Sequence, residues 1–154
     1  MSQTTLDIKE PGLNVLPPGV ERHVVNAGGL TGLQIFPDDE IEIINEEGNQ
    51  ICEIICFDKD GKSELGILNQ KENCKKSFIK ELLKGKDESS LITNLQLKKR
   101  NLDINKSKSS ILFDEQTPSG EKIKIKSKDK CYVIFAAPQN NMLVSEQNPS
   151  SDLT

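Results

Sequence analysis

Apolar and polar residues alternate with a period of two along several short segments, which predicts a protein built mainly from β-strands. The clearest segment is FPDDEIEIINEEGNQICEIICFDKDG, residues 36–61, in which two such runs flank a turn around Gly48. Successive residues of a strand point to opposite faces. The second run therefore has Cys52, Ile54 and Cys56 on one face and Ile51, Ile55 and Phe57 on the other. A strand that is apolar on both faces is expected to be covered on both.

Further runs of the same kind precede and follow this segment. They predict strands at residues 21–25, 33–36 and 111–113, in the run EKIKIK of residues 121–126, and in CYVIFAA of residues 131–137. One stretch, ENCKKSFIKELLKG of residues 72–85, has helical spacing, with Phe78, Ile79, Leu82 and Leu83 on one stripe. Asn73 is a candidate N-cap of this helix, and Gly85 can close its end. Residues 87–105 fit neither the helical nor the strand period.

These elements predict a mainly β fold, a barrel or sandwich of about 7–10 short strands with one short helix inserted at about residues 73–84. Residues 1–19 are rich in proline and glycine, which predicts an extended N-terminal arm. Residues 20–154 then form a single β-rich domain. After a Pro-Ser turn, Leu153-Thr154 begin what resembles another strand, so we expect the chain to continue into a further C-terminal module.

The composition of the chain argues against several cellular compartments and several classes of partner. The chain has no basic and apolar leader at its start and no run of roughly 20 apolar residues, so neither secretion nor a membrane partner is expected. We expect a cytoplasmic protein whose four cysteines are reduced thiols. Tryptophan is absent and tyrosine occurs once, which leaves little aromatic surface for stacking on bases. Nucleic acid is therefore not an expected partner.

Charge is divided unevenly along the chain. Residues 1–70 hold thirteen acidic and four basic side chains, whereas residues 71–154 hold eleven acidic and sixteen basic ones. The basic half could indicate an anionic partner, but its lysines alternate with isoleucines in KIKIK. This alternation is typical of a half-exposed strand with a solvated face.

The residues that could carry chemistry are few. His23 is the only histidine, so it is the one candidate for a histidine base or a histidine metal ligand. Cys52 and Cys56 are about 13 Å apart on an extended strand, too far to share one tetrahedral zinc ion without a bulge. Cys74 and Cys131 could join them only through tertiary folding. We therefore interpret Cys52, Cys56 and Cys131 as small buried apolar residues and predict no catalytic residue, with a metal site at His23, Cys52 and Cys56 as the alternative.

Two motifs that suggest ligand binding fail on spacing. The run that starts with DKDGKSE at Asp58 is similar to a calcium loop, but an EF-hand needs glycine at position six and glutamate at position twelve. Gly61 stands at position four and Asn69 at position twelve. The glycine-rich NAGGLTG lacks the lysine of a phosphate-binding loop and no helical pattern follows it. Neither segment predicts a site.

Three segments taken together point to a known family. They are VNAGGLTGLQIFPDDEIEIINEEGNQICEIICFDKDG (residues 25–61), SSILFDEQTPSGEKIKI (residues 109–125), and VIFAAPQNNM (residues 133–142) followed by NPSSDL (residues 148–153). The chain resembles the urea-carboxylase-associated family, with Asp38-Asp39 where the family pattern has Gly-Asp. The form that it resembles lies N-terminal to an aminomethyltransferase module related to the glycine-cleavage T-protein.

The resemblance implies that the parent enzyme transfers a one-carbon unit to tetrahydrofolate. This segment would then be a non-catalytic accessory domain without a cofactor of its own, and its partner would be the C-terminal catalytic module of the same chain. The folate-site residues would lie beyond Thr154, so none is carried over. Lys122, Lys124 and Lys126 could contact an acidic surface or the anionic tail of folate.

Two alternatives come from other classes of protein. The first is an autonomous small-molecule or metal-binding domain, related to urea-degradation accessory proteins, with His23 and thiols as ligands. The second is an assembly module that dimerises through an exposed sheet edge. The sequence does not determine the oligomeric state.

Overall fold

Two antiparallel sheets and two helices make up the described part of the computed structural model, which comprises residues 20, 23–25, 27–46, 48–73, 77–113 and 116–138. The strands are β1 (Leu30–Ile35), β2 (Glu40–Asn45), β3 (Cys52–Asp58), β4 (Ser109–Phe113), β5 (Glu121–Lys126) and β6 (Cys131–Ala136). The α-helices are α1 (Phe78–Leu82) and α2 (Glu88–Lys99), and two 3-10 helices span Leu65–Leu68 and Ile104–Lys106. The mainly β fold is confirmed.

The larger sheet has the strand order β1-β6-β3-β4, and all its neighbours are antiparallel. Strands β3 and β6 are central, with Ile54 opposite Phe135 and Cys56 opposite Val133. Both strands are buried over almost their whole length. Their position explains why the sequence of β3 is apolar on both faces, because a layer of structure covers each face.

A two-stranded ribbon of β2 and β5 covers one face of the larger sheet. In its register Glu42 lies opposite Lys124 and Glu40 opposite Lys126. Lys124 Nζ lies 3.8 Å from Glu42 Oε2. The ribbon thus pairs a strand from the acidic half of the chain with one from the basic half, and opposite charges face each other across the strands.

The core has two parts, one on each side of the larger sheet. The ribbon-side core is formed by β3 residues Cys52, Ile54 and Cys56 together with apolar residues of the ribbon, the first 3-10 helix and other strands of the sheet. The helix-side core is formed by Leu30, Ile55, Phe57, Ile79, Leu83, Leu97, Tyr132, Ile134 and Ala136. The fold is therefore a three-layer arrangement of ribbon, sheet and helices, which is sandwich-like; the described strands do not close into a barrel.

Helix α1 begins later than predicted. Its N-cap is Ser77, whose Oγ accepts a hydrogen bond from the backbone N–H of Lys80. Asn73 has another role at the edge strand β4, where its side chain accepts from Ile111 N at 2.6 Å and donates to Ile111 O at 3.2 Å. An amide side chain can reproduce the donor and acceptor of a neighbouring strand, so Asn73 extends the sheet at an exposed edge.

Residues 87–105 contain a second helix that no periodicity indicated. Asp87 caps α2 by accepting a hydrogen bond from Ser90 N, and hydrogen bonds from Ser89 and Ser90 lower the pKa of Asp87. Ser90, Thr93 and Leu97 face inward, whereas Leu91, Ile92 and Leu95 face outward. The pattern is hidden because apolar side chains lie on both sides of α2, Leu97 inward and the other three outward, so no single apolar stripe marks the helix in the sequence.

The number of strands is six among the described residues, below the predicted range. In the segment expected to form a first strand, Val25 makes only an isolated bridge, and residues 21 and 22 lie outside the described residues. The N-terminal arm, Cys74 and the final residues also lie outside them. None of the helices in the described ranges combines the length and the apolar character that crossing a membrane requires.

Candidate functional site

The thiols singled out in the sequence lie in the ribbon-side core. Cys52, Cys56 and Cys131 are free and almost completely buried. Burial raises the pKa of Cys52 far above its usual value, and the neighbouring Glu53 carboxylate adds to the shift. A thiol whose pKa is raised in this way is protonated at neutral pH and is a poor nucleophile or metal ligand.

Two of these thiols form a pair across the central strands. The hydrogen bond between them raises the pKa of Cys56 and lowers that of Cys131, and burial further raises the pKa of Cys56. Ser127 Oγ lies 3.6 Å from Cys131 Sγ and donates to the carbonyl oxygen of Asp129 at 2.6 Å. The pair is sealed from solvent, so it packs and hydrogen-bonds in the interior.

His23 is half-buried and precedes the isolated bridge at Val25. Across the described ranges, no three side chains of the His, Cys, Asp and Glu types are placed to hold a metal ion together. The structure thus brings Cys56 and Cys131 together, but it shows no cluster that unites His23, Cys52 and Cys56.

A buried carboxylate on β3, which the sequence pattern did not single out, accepts several hydrogen bonds from the start of α1. Glu53 on β3 is fully buried and accepts hydrogen bonds from Ser77 Oγ at 2.7 Å, from Phe78 N at 2.7 Å and from Ile79 N at 3.2 Å. Burial raises the pKa of Glu53, and the hydrogen bonds, including one with Ser109, partly offset this. The sequence feature that could have indicated this role is the single charged residue, Glu53, inside the apolar run ICEIICF.

Two buried amide side chains flank the turn after β2. Asn45 and Gln50 are both fully buried. Asn45 donates to Gln50 O at 2.8 Å, and the Gln50 side chain donates to Ile51 O at 2.9 Å and to Pro138 O at 2.8 Å. These bonds join the turn to the end of β6, so both amide side chains organise backbone.

A groove of about 490 Å³ runs beside the ribbon. Its lining comprises Asp38, Leu68, Asn69, Gln70, Lys124, Ile125, Lys126, Ser127 and Lys128. Lys124 forms an ion pair with Glu42, whereas Lys126 only lies opposite Glu40 in the register of the ribbon. The groove could attract an anion weakly, but its lining contains no nucleophile or base arranged for catalysis.

Known proteins give one informative match. No protein-family model matches the chain, and no solved structure matches it. The chain is similar to a protein of Ruegeria pomeroyi named trimethylamine-oxide aldolase, with 33% identity over 147 residues. The alignment covers 96% of this chain and 19% of that relative. The chain therefore spans about a fifth of the length of the curated relative that it matches, and the resemblance to the urea-carboxylase-associated family stays a prediction.

Proposed function

We propose that this chain is a non-catalytic accessory domain of a larger enzyme similar to trimethylamine-oxide aldolase. One observation carries the proposal: almost the whole chain aligns with about a fifth of a larger enzyme. A segment that matches one part of an enzyme over its full length is expected to do the work of that part, and the catalytic residues can lie in the remainder.

The described side chains support an accessory role. Several buried polar side chains in the described part of the chain build the fold: Glu53 anchors α1, the amide nitrogens of Asn45 and Gln50 hold a turn, and Cys56 pairs with Cys131. A catalytic group must reach a substrate, and these groups are closed off from solvent.

The proposal extends to the chemistry of the parent enzyme. Trimethylamine oxide carries methyl groups on nitrogen, and the aminomethyltransferase module implied by the sequence resemblance handles a one-carbon group bonded to nitrogen. A methyl group on nitrogen and an aminomethyl group are both one-carbon units, and this shared chemistry favours tetrahydrofolate as a cofactor of the parent enzyme. The cofactor would bind to the C-terminal catalytic module, which is the partner of this domain in the same chain.

The test compares this chain with the longer polypeptide in which it occurs. An antibody against the domain first gives the size of the natural protein, which should exceed 17.1 kDa. Consumption of trimethylamine oxide is then followed by NMR, with and without tetrahydrofolate, for the longer polypeptide and for the 154-residue chain. Activity in the longer polypeptide alone supports the proposal, whereas turnover by the 154-residue chain, or a natural protein of its size, contradicts it.

A further inference from the structure

Helix α2 carries an apolar stripe on its solvent side, formed by Leu91, Ile92 and Leu95. Their exposed fractions are 51%, 51% and 65%, the highest for large apolar side chains among the described residues. Residues three or four positions apart are neighbours on a helix with 3.6 residues per turn, so Leu95 lies beside both Ile92 and Leu91. The three side chains therefore form one continuous patch, which we call the α2 stripe.

The opposite side of α2 contributes Leu97 to the core, but it is otherwise polar where a surface helix is normally apolar. Ser90 Oγ donates to Leu82 O at 2.7 Å, and Asn94 Nδ2 donates to Leu83 O at 2.8 Å. Thr93 is buried as well and bonds to the carbonyl of Ser89. The bonds from Ser90 and Asn94 to the end of α1 fix the rotation of α2 about its axis. The α2 stripe therefore cannot turn inward to reach the core.

From this geometry we infer that the α2 stripe is a docking surface for another part of the same, longer polypeptide. The inference rests on the proposed function. About four-fifths of the aldolase relative has no counterpart in this chain, so an enzyme of that kind supplies ample additional surface to cover the stripe. The occupant is thus a neighbouring module joined covalently to this domain.

The size of the stripe favours a tethered occupant over a second copy of the chain. Three half-exposed side chains offer an apolar area of about 300 Å², compared with roughly 800 Å² per partner in a stable independent complex. Covalent linkage raises the effective concentration of the partner, so a small patch is sufficient when both surfaces belong to one chain.

The charged residues at the two ends of α2 indicate which charges the docked surface should carry. Asp87 and Glu88 lie at the N-terminal end, and Lys98, Lys99 and Arg100 follow at the C-terminal end. The docked surface should therefore be apolar at its centre, basic beside Asp87 and Glu88, and acidic beside the lysines.

Hydroxyl-radical footprinting tests the inference, because it reports the solvent access of individual side chains. We expect several-fold less modification of Leu91, Ile92 and Leu95 in the longer polypeptide than in the 154-residue chain. Phe36 is the exposed reference, since it is 39% exposed and lies on the chain outside the stripe, and Leu97 is the buried reference on the same helix. If the modification of Phe36 fell by the same factor, the longer polypeptide would reduce modification in general, and no docking on the α2 stripe would be shown.

Variants provide a second readout. Leu91→Gln with Leu95→Gln should leave the melting temperature of the 154-residue chain almost unchanged, because glutamine is a good helix former and the stripe makes no core contact there. The same pair should lower the melting temperature of the longer polypeptide. Lys59→Gln, at an exposed position in the turn after β3, is the surface control and should change neither protein.

Each other outcome overturns the inference. Protection already present in the dilute 154-residue chain would mean that its own residues cover the stripe, and protection that grows with its concentration would mean self-association. Equal modification in both proteins would mean that nothing docks there, while the larger-enzyme proposal would still stand. A natural protein of 154 residues would instead remove the proposed function itself.

Discussion

The carboxylate of Glu53, on the central strand β3, accepts a hydrogen bond of 2.7 Å from the backbone N–H of Phe78, the first residue of α1. The first N–H groups of a helix have no partner within it, so a buried helix start needs an acceptor. Glu53 supplies that acceptor from the sheet and thereby joins two layers of the fold. A carboxylate at the centre of an apolar strand is here a structural connection.

Replacement of Glu53 by alanine should strongly destabilise the protein. The change leaves the buried Ile79 N and the partly buried Phe78 N and Ser77 Oγ without their acceptor, at a cost of about 1–3 kcal/mol for a fully buried group and less for the other two. Urea denaturation followed by far-UV circular dichroism measures the free energy of unfolding. Ser77→Ala, which removes only one donor and the N-cap of α1, should cost less, and an equal loss in both variants would contradict the assigned role.

The same carboxyl group should make stability depend on pH in a defined direction. Burial raises the pKa of Glu53 in the folded state above its ordinary value of 4.5. The folded protein therefore binds the proton more tightly, and this group stabilises the fold most below pH 4.5 and less as pH rises through its folded pKa. Other carboxylates titrate in the same range, so the informative quantity is the difference from Glu53→Gln.

Glu53→Gln keeps the shape and one acceptor oxygen but cannot ionise. Its free energy of unfolding, relative to that of the natural protein, should increase as pH rises from about 4.5 towards neutrality. Unfolding curves at several pH values in that window measure the difference. A difference that is constant, or that falls with pH, would show that Glu53 has no raised pKa.

The sequence predicts those features of the fold that depend only on the local geometry of one strand or helix. The period-two faces of β3 gave the correct assignment of Cys52, Ile54 and Cys56 to one core and of Ile55 and Phe57 to the other. Local pattern is sufficient there because strand geometry fixes the alternation. The mainly β class followed from the same signal.

What could not be predicted depends on contacts between distant segments. Asn73 is of a residue type that often caps helices, yet its side chain hydrogen-bonds to the backbone of Ile111, thirty-eight positions away. Helix α2 was hidden because apolar residues lie on both its inward and its outward face, which leaves almost no helical period in the sequence. The opposite charges of the two halves of the chain acquired a meaning only when β2 was seen to pair with β5.

Gly48 and Gly120 both have positive φ, of +80° and +82°, but they differ in their surroundings. A Cβ at Gly48 would lie 2.7 Å from Ser119 N and 2.9 Å from Thr117 O, whereas a Cβ at Gly120 would meet nothing within 4 Å. Gly120→Ala should therefore cost only the backbone strain, about 1 kcal/mol. Gly48→Ala should cost clearly more, because rigid backbone must also move.

Thermal unfolding of the two glycine variants, compared in one buffer, provides the measurement. The larger decrease in melting temperature should occur for Gly48→Ala. If the two decreases were equal, the close approach between the turn after β2 and the loop before β5 would be wrong.

Arg100 stacks on Tyr132, with its guanidinium carbon 4.3 Å from the ring centroid. Burial raises the pKa of Tyr132, and the positive charge of Arg100 partly counteracts this. Arg100→Gln should therefore raise the pKa of the phenol further. Because the chain contains one tyrosine and no tryptophan, ultraviolet absorbance during an alkaline titration reports Tyr132 alone.

Lys99→Gln is the control for the tyrosine titration, since it removes the same charge from the neighbouring position. It should shift the pKa of Tyr132 much less than Arg100→Gln does. An unchanged or lower pKa in Arg100→Gln would contradict the stacking geometry.

The buried thiols predict an asymmetry between two serine substitutions. The pair formed with Cys56 and the contact of 3.6 Å with Ser127 give a hydroxyl at position 131 hydrogen-bonding partners. In the described part of the chain, the Cys52 thiol has no such partner and is fully buried. An unpartnered buried hydroxyl costs about 1–3 kcal/mol, so Cys52→Ser should destabilise the protein more than Cys131→Ser does.

Alanine variants at both positions separate this polar effect from the loss of packing. The measured quantity is the free energy of unfolding of each serine variant relative to its alanine partner, from urea denaturation. We expect serine to be worse than alanine at position 52 and similar to or better than alanine at position 131. The reverse order would mean that Cys52 lies in a polar environment, and the metal-binding alternative with His23 and Cys56 would then regain support.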